Sequence, residues 1–152
     1  MKITLKLNNE TGSETLAINM TMNAARIYRQ EFNRDLLKDM NEIYWKVNRS
    51  VFEGVDLTGI DTSKSENEIT AEIIQRAQLN ILSEESKKDL DFDETERGCM
   101  VLWAFTKNAD AKTLEYNEWF GSFDYVLPIA EIITALYEAW HKTAAPTVEL
   151  KN

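Results

Sequence analysis

The sequence predicts a mainly α-helical fold of the α+β type, an N-terminal β-hairpin followed by a compact bundle of about five helices. Three observations carry this. Apolar residues alternate with polar ones up to Met20, they recur every three to four residues from Thr21 onward, and the connecting segments are rich in turn formers. A chain of 152 residues with 43% hydrophobic side chains has the size and content to build one core. Residues 1–146 are expected to form a single domain, the hairpin over 1–20 and the helical part over 21–142. A flexible C-terminal tail, 147–152, comes after Ala144, Ala145 and Pro146.

In the hairpin, Ile3, Leu5 and Leu7 alternate with polar residues, Asn9 to Ser13 supply turn chemistry, and Leu16, Ile18 and Met20 alternate again. Two strands alone are marginal in water, so their apolar face must pack on the helical part of the chain. Thr21 is the expected N-cap of the first helix, with Ala25, Tyr28 and Phe32 at helical spacing and Asn33 as its left-handed stop. A second helix starts near Asp35. Its stripe is Leu36, Met40, Ile43, Tyr44 and Val47, and Arg34, Lys38, Asp39, Glu42 and Lys46 form its wet face. Gly54 to Ser65 reads as a surface loop.

Ser65 and Glu68 match a capping box for a third helix from about Glu66 to about Ser83, whose stripe is Ile69, Ile73, Ala77 and Ile81. Asp93 and Glu96 form a second cap-like pair before Met100 to Phe105, an almost wholly apolar run that marks the central, buried helix. A short helix spans Thr113 to Phe120 and ends at Gly121 and Ser122. The last helix is the most regular, with Ile129, Ile132, Ile133, Leu136, Tyr137 and Trp140 on one face and Pro128 near its first turn. Trp103 and Trp140 are expected in the core.

Composition narrows the function. The longest apolar stretch, Gly98 to Phe105, is far short of the roughly 20 residues that span a bilayer, and Met1 to Thr4 lead into no signal-peptide core, so a cytoplasmic location is expected. The net charge is -9, with 8 basic and 6 acidic residues over 1–50 but 5 basic and 13 acidic over 51–97. Such an acidic belt repels phosphate, which argues against binding nucleic acid or an anionic membrane.

The residues also argue against catalysis, metal binding and a cofactor. His141 is the only histidine and comes just after the last apolar position of the final helix, where an imidazole suits the helix dipole. Cys99 is the only cysteine and lies in the apolar run, which predicts a buried, unreactive thiol. One of each assembles no ordinary zinc site and leaves no nucleophile and base pair to compare. Asp89, Asp91 and Asp93 imitate the start of a calcium loop, but Glu94 stands where glycine is needed and Met100 where the bidentate glutamate is needed. Five glycines fall in no phosphate-cradling pattern.

What remains is an aromatic surplus. Tyr116, Trp119, Phe120, Phe123 and Tyr125 crowd ten residues without clean amphipathic order, which suits either core packing or a partner-binding surface.

Four stretches carry a family likeness: Met22-Asn23-Ala24-Ala25-Arg26, Phe32-Asn33-Arg34-Asp35-Leu36-Leu37, Leu102-Trp103-Ala104-Phe105-Thr106-Lys107-Asn108-Ala109-Asp110 and Glu118-Trp119-Phe120-Gly121-Ser122-Phe123. With them, in order along nearly the whole chain, the sequence resembles the tail assembly chaperones of long-tailed phages and prophages of Gram-positive hosts. Asn33 stands where relatives often carry glycine, and 55–92 holds no family motif. The resemblance implies a non-catalytic protein of the host cytoplasm that binds the tape measure protein, keeps it soluble and extended, and helps recruit tail tube subunits. It further implies absence from the mature virion, and it is compatible with self-association and with a longer form made by frameshifting. The composition leaves a second reading open, an acidic inhibitor or DNA mimic acting on a host enzyme.

Overall fold

The computed structural model describes residues 1–9, 12–53, 57–81 and 90–143. Strand β1 (Lys2–Asn9) pairs antiparallel with β2 (Gly12–Asn19). Beyond the hairpin lie six helices among the described residues: α1 (Met22–Phe32), α2 (Leu36–Glu53), α3 (Glu66–Ile81), α4 (Phe92–Ala109), α5 (Tyr116–Gly121) and α6 (Ile129–Thr143). The chain is thus mainly helical with one small sheet. The hairpin tip at Glu10 and Thr11, the loop start at 54–56, the expected end of the third helix at Ser83, Asp89, and the tail 147–152 lie outside the described residues.

Period-two alternation puts Ile3, Leu5, Leu7, Leu16 and Ile18 on one face of the hairpin. Leu7 and Ile18 are fully covered, the other three pack at the margin of the core, and α4 lies against β2. In α1 the buried positions are Ala24 and Tyr28, with Ala25 and Phe32 flanking them. Thr21 takes the extended backbone of an N-cap but makes no capping bond, because its hydroxyl accepts from Asn108 Nδ2 of α4 at 2.9 Å. Asn33 ends α1 as expected, at φ 53°, its N–H donating to Arg29 O at 2.8 Å.

The Asp35 carboxylate accepts from the N–H groups of Leu37 and Lys38 and so opens α2. All five residues of the α2 stripe are buried. Asp39, expected on the wet face, is instead 1% exposed. Its carboxylate accepts from Tyr28 OH at 2.5 Å and from Arg34 at 2.7 and 2.9 Å, with Arg97 at 3.8 Å. Partners on α1, α4 and the α1–α2 turn thus make the burial of this charge tolerable, and the network ties those elements together. Burial alone would raise the Asp39 pKa, but the bonds from Arg34 and Tyr28 and the charges of Arg34 and Arg97 outweigh it and hold it below the usual carboxylate range.

The α3 cap matches the expected one, with Ser65 Oγ accepting the Glu68 N–H at 3.2 Å. Among the described side chains of α3, Ile74 is buried and Ile69 and Ile73 are half-buried, while the side chains of Ala77 and Ile81 lie outside the described residues. The cap of α4 differs from the expected Asp93 and Glu96. Asp91 accepts the Glu94 N–H at 2.8 Å and Glu94 accepts the Asp91 N–H at 3.0 Å, a complete capping box two residues earlier. The register is set by the tertiary contact of Glu94, which is buried and paired with Lys46 of α2.

Helix α4 is the centre of the molecule, buried at Gly98, Cys99 and from Val101 through Thr106, and packed by β2, α1, α2, α5 and α6. A β-carbon at Gly98 would lie 2.2 Å from Ile129 Cγ2, so α6 approaches α4 there only because the side chain is missing. Burial pushes the Cys99 thiol up to about 12, in line with its place in the apolar run. Helix α5 starts at Tyr116, later than Thr113, because the Thr113 hydroxyl donates to Asp110 O and the Leu114 carbonyl accepts from Trp103 Nε1. In α6 the Ile132 N–H donates to Pro128 O, which places the proline just ahead of the first turn. Ile129, Ile132, Ile133, Leu136 and Tyr137 are buried, whereas Trp140, expected in the core beside Trp103, is half-buried.

Candidate functional site

The five aromatic residues singled out by composition form a chain of rings that runs from the core to the surface. Tyr116 and Trp119, on the inner side of α5, are buried; Tyr116 meets Phe32 edge-on at 4.9 Å and Trp103 at 6.0 Å. Trp119 touches Phe123 at 4.9 Å, Phe123 touches Tyr125 at 5.8 Å, and both outer rings are half-buried. Tyr125 OH donates to Glu14 at 2.7 Å and pins this segment to the hairpin. Phe120 sits over Tyr116 but remains 37% exposed. Tyr116 and Trp119 therefore act in packing, which leaves Phe120 as the ring of this set that offers most surface to a partner.

A second set of rings lies between α2, α3 and α6. A groove of about 560 Å³ runs there with a mixed lining, Leu37, Met40, Trp45, Tyr137 and Trp140 beside Lys38, Asn41, Glu66, Asn67 and Thr70; Met40 and Tyr137 are buried, so half-buried Leu37, Trp45 and Trp140 supply most of its apolar surface. Two of its rings are held by neighbouring side chains. Tyr44 and Tyr137 stack at 3.8 Å, and Asn41 Oδ1 accepts from both Trp45 Nε1 at 3.0 Å and Tyr137 OH at 3.1 Å. One amide thus orients rings from two helices. Rigid amphipathic rings on helices make good anchor sites, since little entropy is lost when a partner covers them.

His141 closes the groove. Its ring packs on Tyr137 at 4.3 Å, and its Nδ1 is shielded from water with no hydrogen-bond partner among the described residues. Burial lowers its pKa against the opposing pull of Glu66, so the neutral imidazole is favoured. It thus adds surface to the groove in addition to sitting at the helix end.

The sequence alone pointed to 116–125 and missed the groove. A signal was present in the width of the apolar faces. Trp45 lies one residue beyond the buried stripe of α2 and Trp140 at the edge of that of α6, so each face is wider than a single packing contact requires.

Among the described residues no cluster of histidine, cysteine, aspartate and glutamate has the geometry to hold a metal ion, and no helix is long and apolar enough to cross a membrane. Of the calcium-like aspartates, Asp91 is committed to the α4 cap. The buried polar groups serve architecture: Asn48 Nδ2 donates to Tyr44 O and to Thr134 Oγ1, and Thr106 Oγ1 donates to Leu102 O. The chain matches no family model, no curated protein and no solved structure with which it was compared.

Proposed function

We propose that the protein is a non-catalytic tail assembly chaperone of the long-tailed phage type, which receives apolar stripes of the tape measure protein's helices in the groove between α2, α3 and α6. The observation that carries this reading is the groove itself, a cleft on three packed helices in which Trp45 and Trp140 stand half-buried among polar side chains and Asn41 holds Trp45 and Tyr137. An amphipathic helix lays one apolar side chain per turn into such a groove, and different sequences can use it because the recognition is by shape and apolar area. The acidic exterior keeps the coated client from aggregating. On this reading the protein works in the host cytoplasm, tail tube subunits join the same complex, and the chaperone departs before the virion is complete.

The test is co-expression with the tape measure protein. The wild-type chain converts the client from insoluble to soluble, and a Trp45→Ala, Trp140→Ala double variant that still folds does not. Affinity survives moderate salt, since the contact is apolar. A client that stays insoluble at every ratio removes the chaperone reading. The inhibitor or DNA-mimic reading gains less support, because Glu72 is paired with Arg76 and Lys64, and Glu94 with Lys46, which takes these carboxylates out of a phosphate-like array.

A further inference from the structure

The hairpin has an open edge with a defined chemistry. Met1 and Met20 exchange both backbone bonds, Met20 N–H to Met1 O at 2.8 Å and Met1 N to Met20 O at 3.2 Å. Hydrogen-bonded pairs alternate along an antiparallel ladder, so the inward-bonded residues of β1 are the odd ones and the backbone groups of Lys2, Thr4 and Lys6 point away from β2. The same parity turns the Asn19 carbonyl outward on β2, where it accepts from Asn108 Nδ2 at 2.8 Å. The β2 side of the ribbon is thus engaged by α4. The β1 side has no third strand among the described residues.

Lys2, Thr4 and Lys6 also share the exposed face of the ribbon. Neither lysine has an acidic partner among the described residues, and the carboxylate of β2, Glu14, is on the opposite face and held by Tyr125. In a chain of net charge -9 this edge is a local positive strip. Edge lysines discourage indiscriminate pairing. In the antiparallel register centred on Thr4, a second copy would set Lys2 against Lys6, so like charges disfavour that self-pairing. The same lysines favour a strand that brings carboxylates.

We propose that β1 accepts an extended acidic segment of another polypeptide as a third, edge strand, with carboxylates at alternate positions over Lys2 and Lys6 and apolar residues between them continuing the Ile3 and Leu5 face. Backbone bonds to Lys2, Thr4 and Lys6 supply affinity and the lysines supply selectivity. This surface is separate from the aromatic groove, and its failure leaves the groove reading intact.

The experiment uses the whole chain and a fluorescein-labelled octapeptide of alternating glutamate and valine. Fluorescence anisotropy rises on binding, and amide exchange monitored by NMR slows at Thr4 and Lys6, whereas the Ile3 and Leu5 amides, already bonded to β2, are protected before and after. Lys2→Glu with Lys6→Glu weakens binding by about tenfold, given that each cross-strand charge pair contributes a fraction of a kcal/mol and reversal adds repulsion. Thr4→Pro removes an outward N–H without breaking a hairpin bond, and it abolishes binding while circular dichroism is unchanged. No binding by the wild-type chain overturns the proposal. So does binding without slowed exchange at Thr4 and Lys6, or equal binding of a peptide with the same composition and its glutamates in one block.

Discussion

The surroundings of α4 and the groove between α2, α3 and α6 both hold aromatic rings, yet they are built by opposite rules. Around α4 each polar side chain of the Leu102 to Asp110 stretch has a specific task. Trp103 Nε1 donates to Leu114 O at 2.9 Å, Lys107 Nζ to Ala111 O and Thr113 O at 3.1 and 2.8 Å, and Asn108 Nδ2 to Asn19 O and Thr21 Oγ1. These bonds fold the 110–115 loop and fasten the hairpin, and they admit few other residue types. The groove demands only rings of suitable size and one exposed amide, Asn41, that accepts from two of them. The Leu102 to Asp110 stretch is therefore scaffolding, whereas of the groove lining only Leu37 falls in a stretch that carries the family likeness.

Truncation separates the two regions most clearly. Trp103→Ala removes a fully buried ring and orphans the Leu114 carbonyl, at a cost of about 3 to 5 kcal/mol in urea unfolding. A loss below roughly 1 kcal/mol would mean that the α4 surroundings are as tolerant as the groove. Asp39→Ala leaves Arg34 and Tyr28 without their acceptor and costs about 3 kcal/mol, at the lower end for a broken buried pair because the Arg34 side chain is 45% exposed.

The same carboxylate sets an acid limit. Its folded pKa lies below its unfolded one, so its stabilisation is present above the ordinary carboxylate range and is lost as pH falls through the folded value. Melting temperature measured from neutral pH downward falls more steeply in the wild-type chain than in Asp39→Ala. Parallel curves would show that Asp39 titrates alike in both states.

Gly98→Ala tests the seam between the regions. Alanine suits a helix better by up to about 1 kcal/mol, but the added carbon meets the branched Ile129 side chain, and overpacking of roughly 1 to 3 kcal/mol wins. A stabilised Gly98→Ala variant would show that α6 moves freely on α4. The smallest stability effects belong to the more exposed rings, Trp140 and Phe120. Trp140→Ala and Phe120→Ala each cost stability less than Trp103→Ala, and Trp140→Ala weakens client binding by about 2 kcal/mol, as anchors at interfaces do. A larger binding loss from Phe120→Ala than from Trp140→Ala would move the client site from the groove to α5.

Local chemistry made much of this architecture legible. Alternation specified the hairpin, the 3.6-residue period specified the α2 and α6 stripes, and Asn33 marked the end of α1, because each depends on neighbours in sequence. Where two local solutions were close in energy, tertiary contacts chose between them. Asp91 with Glu94 and Asp93 with Glu96 offer the same spacing, and the ion pair of Glu94 with Lys46 selects the first. Asp39 has the composition of a surface residue and is buried because Tyr28 and Arg34 converge on it from outside α2. Trp140 continues the most regular stripe of the chain yet stays half-exposed, since the neighbouring helices cover that stripe only in part. Periodicity states which side of a helix is apolar; only the packing of the other helices decides how much of that side is covered and how much is left for a partner.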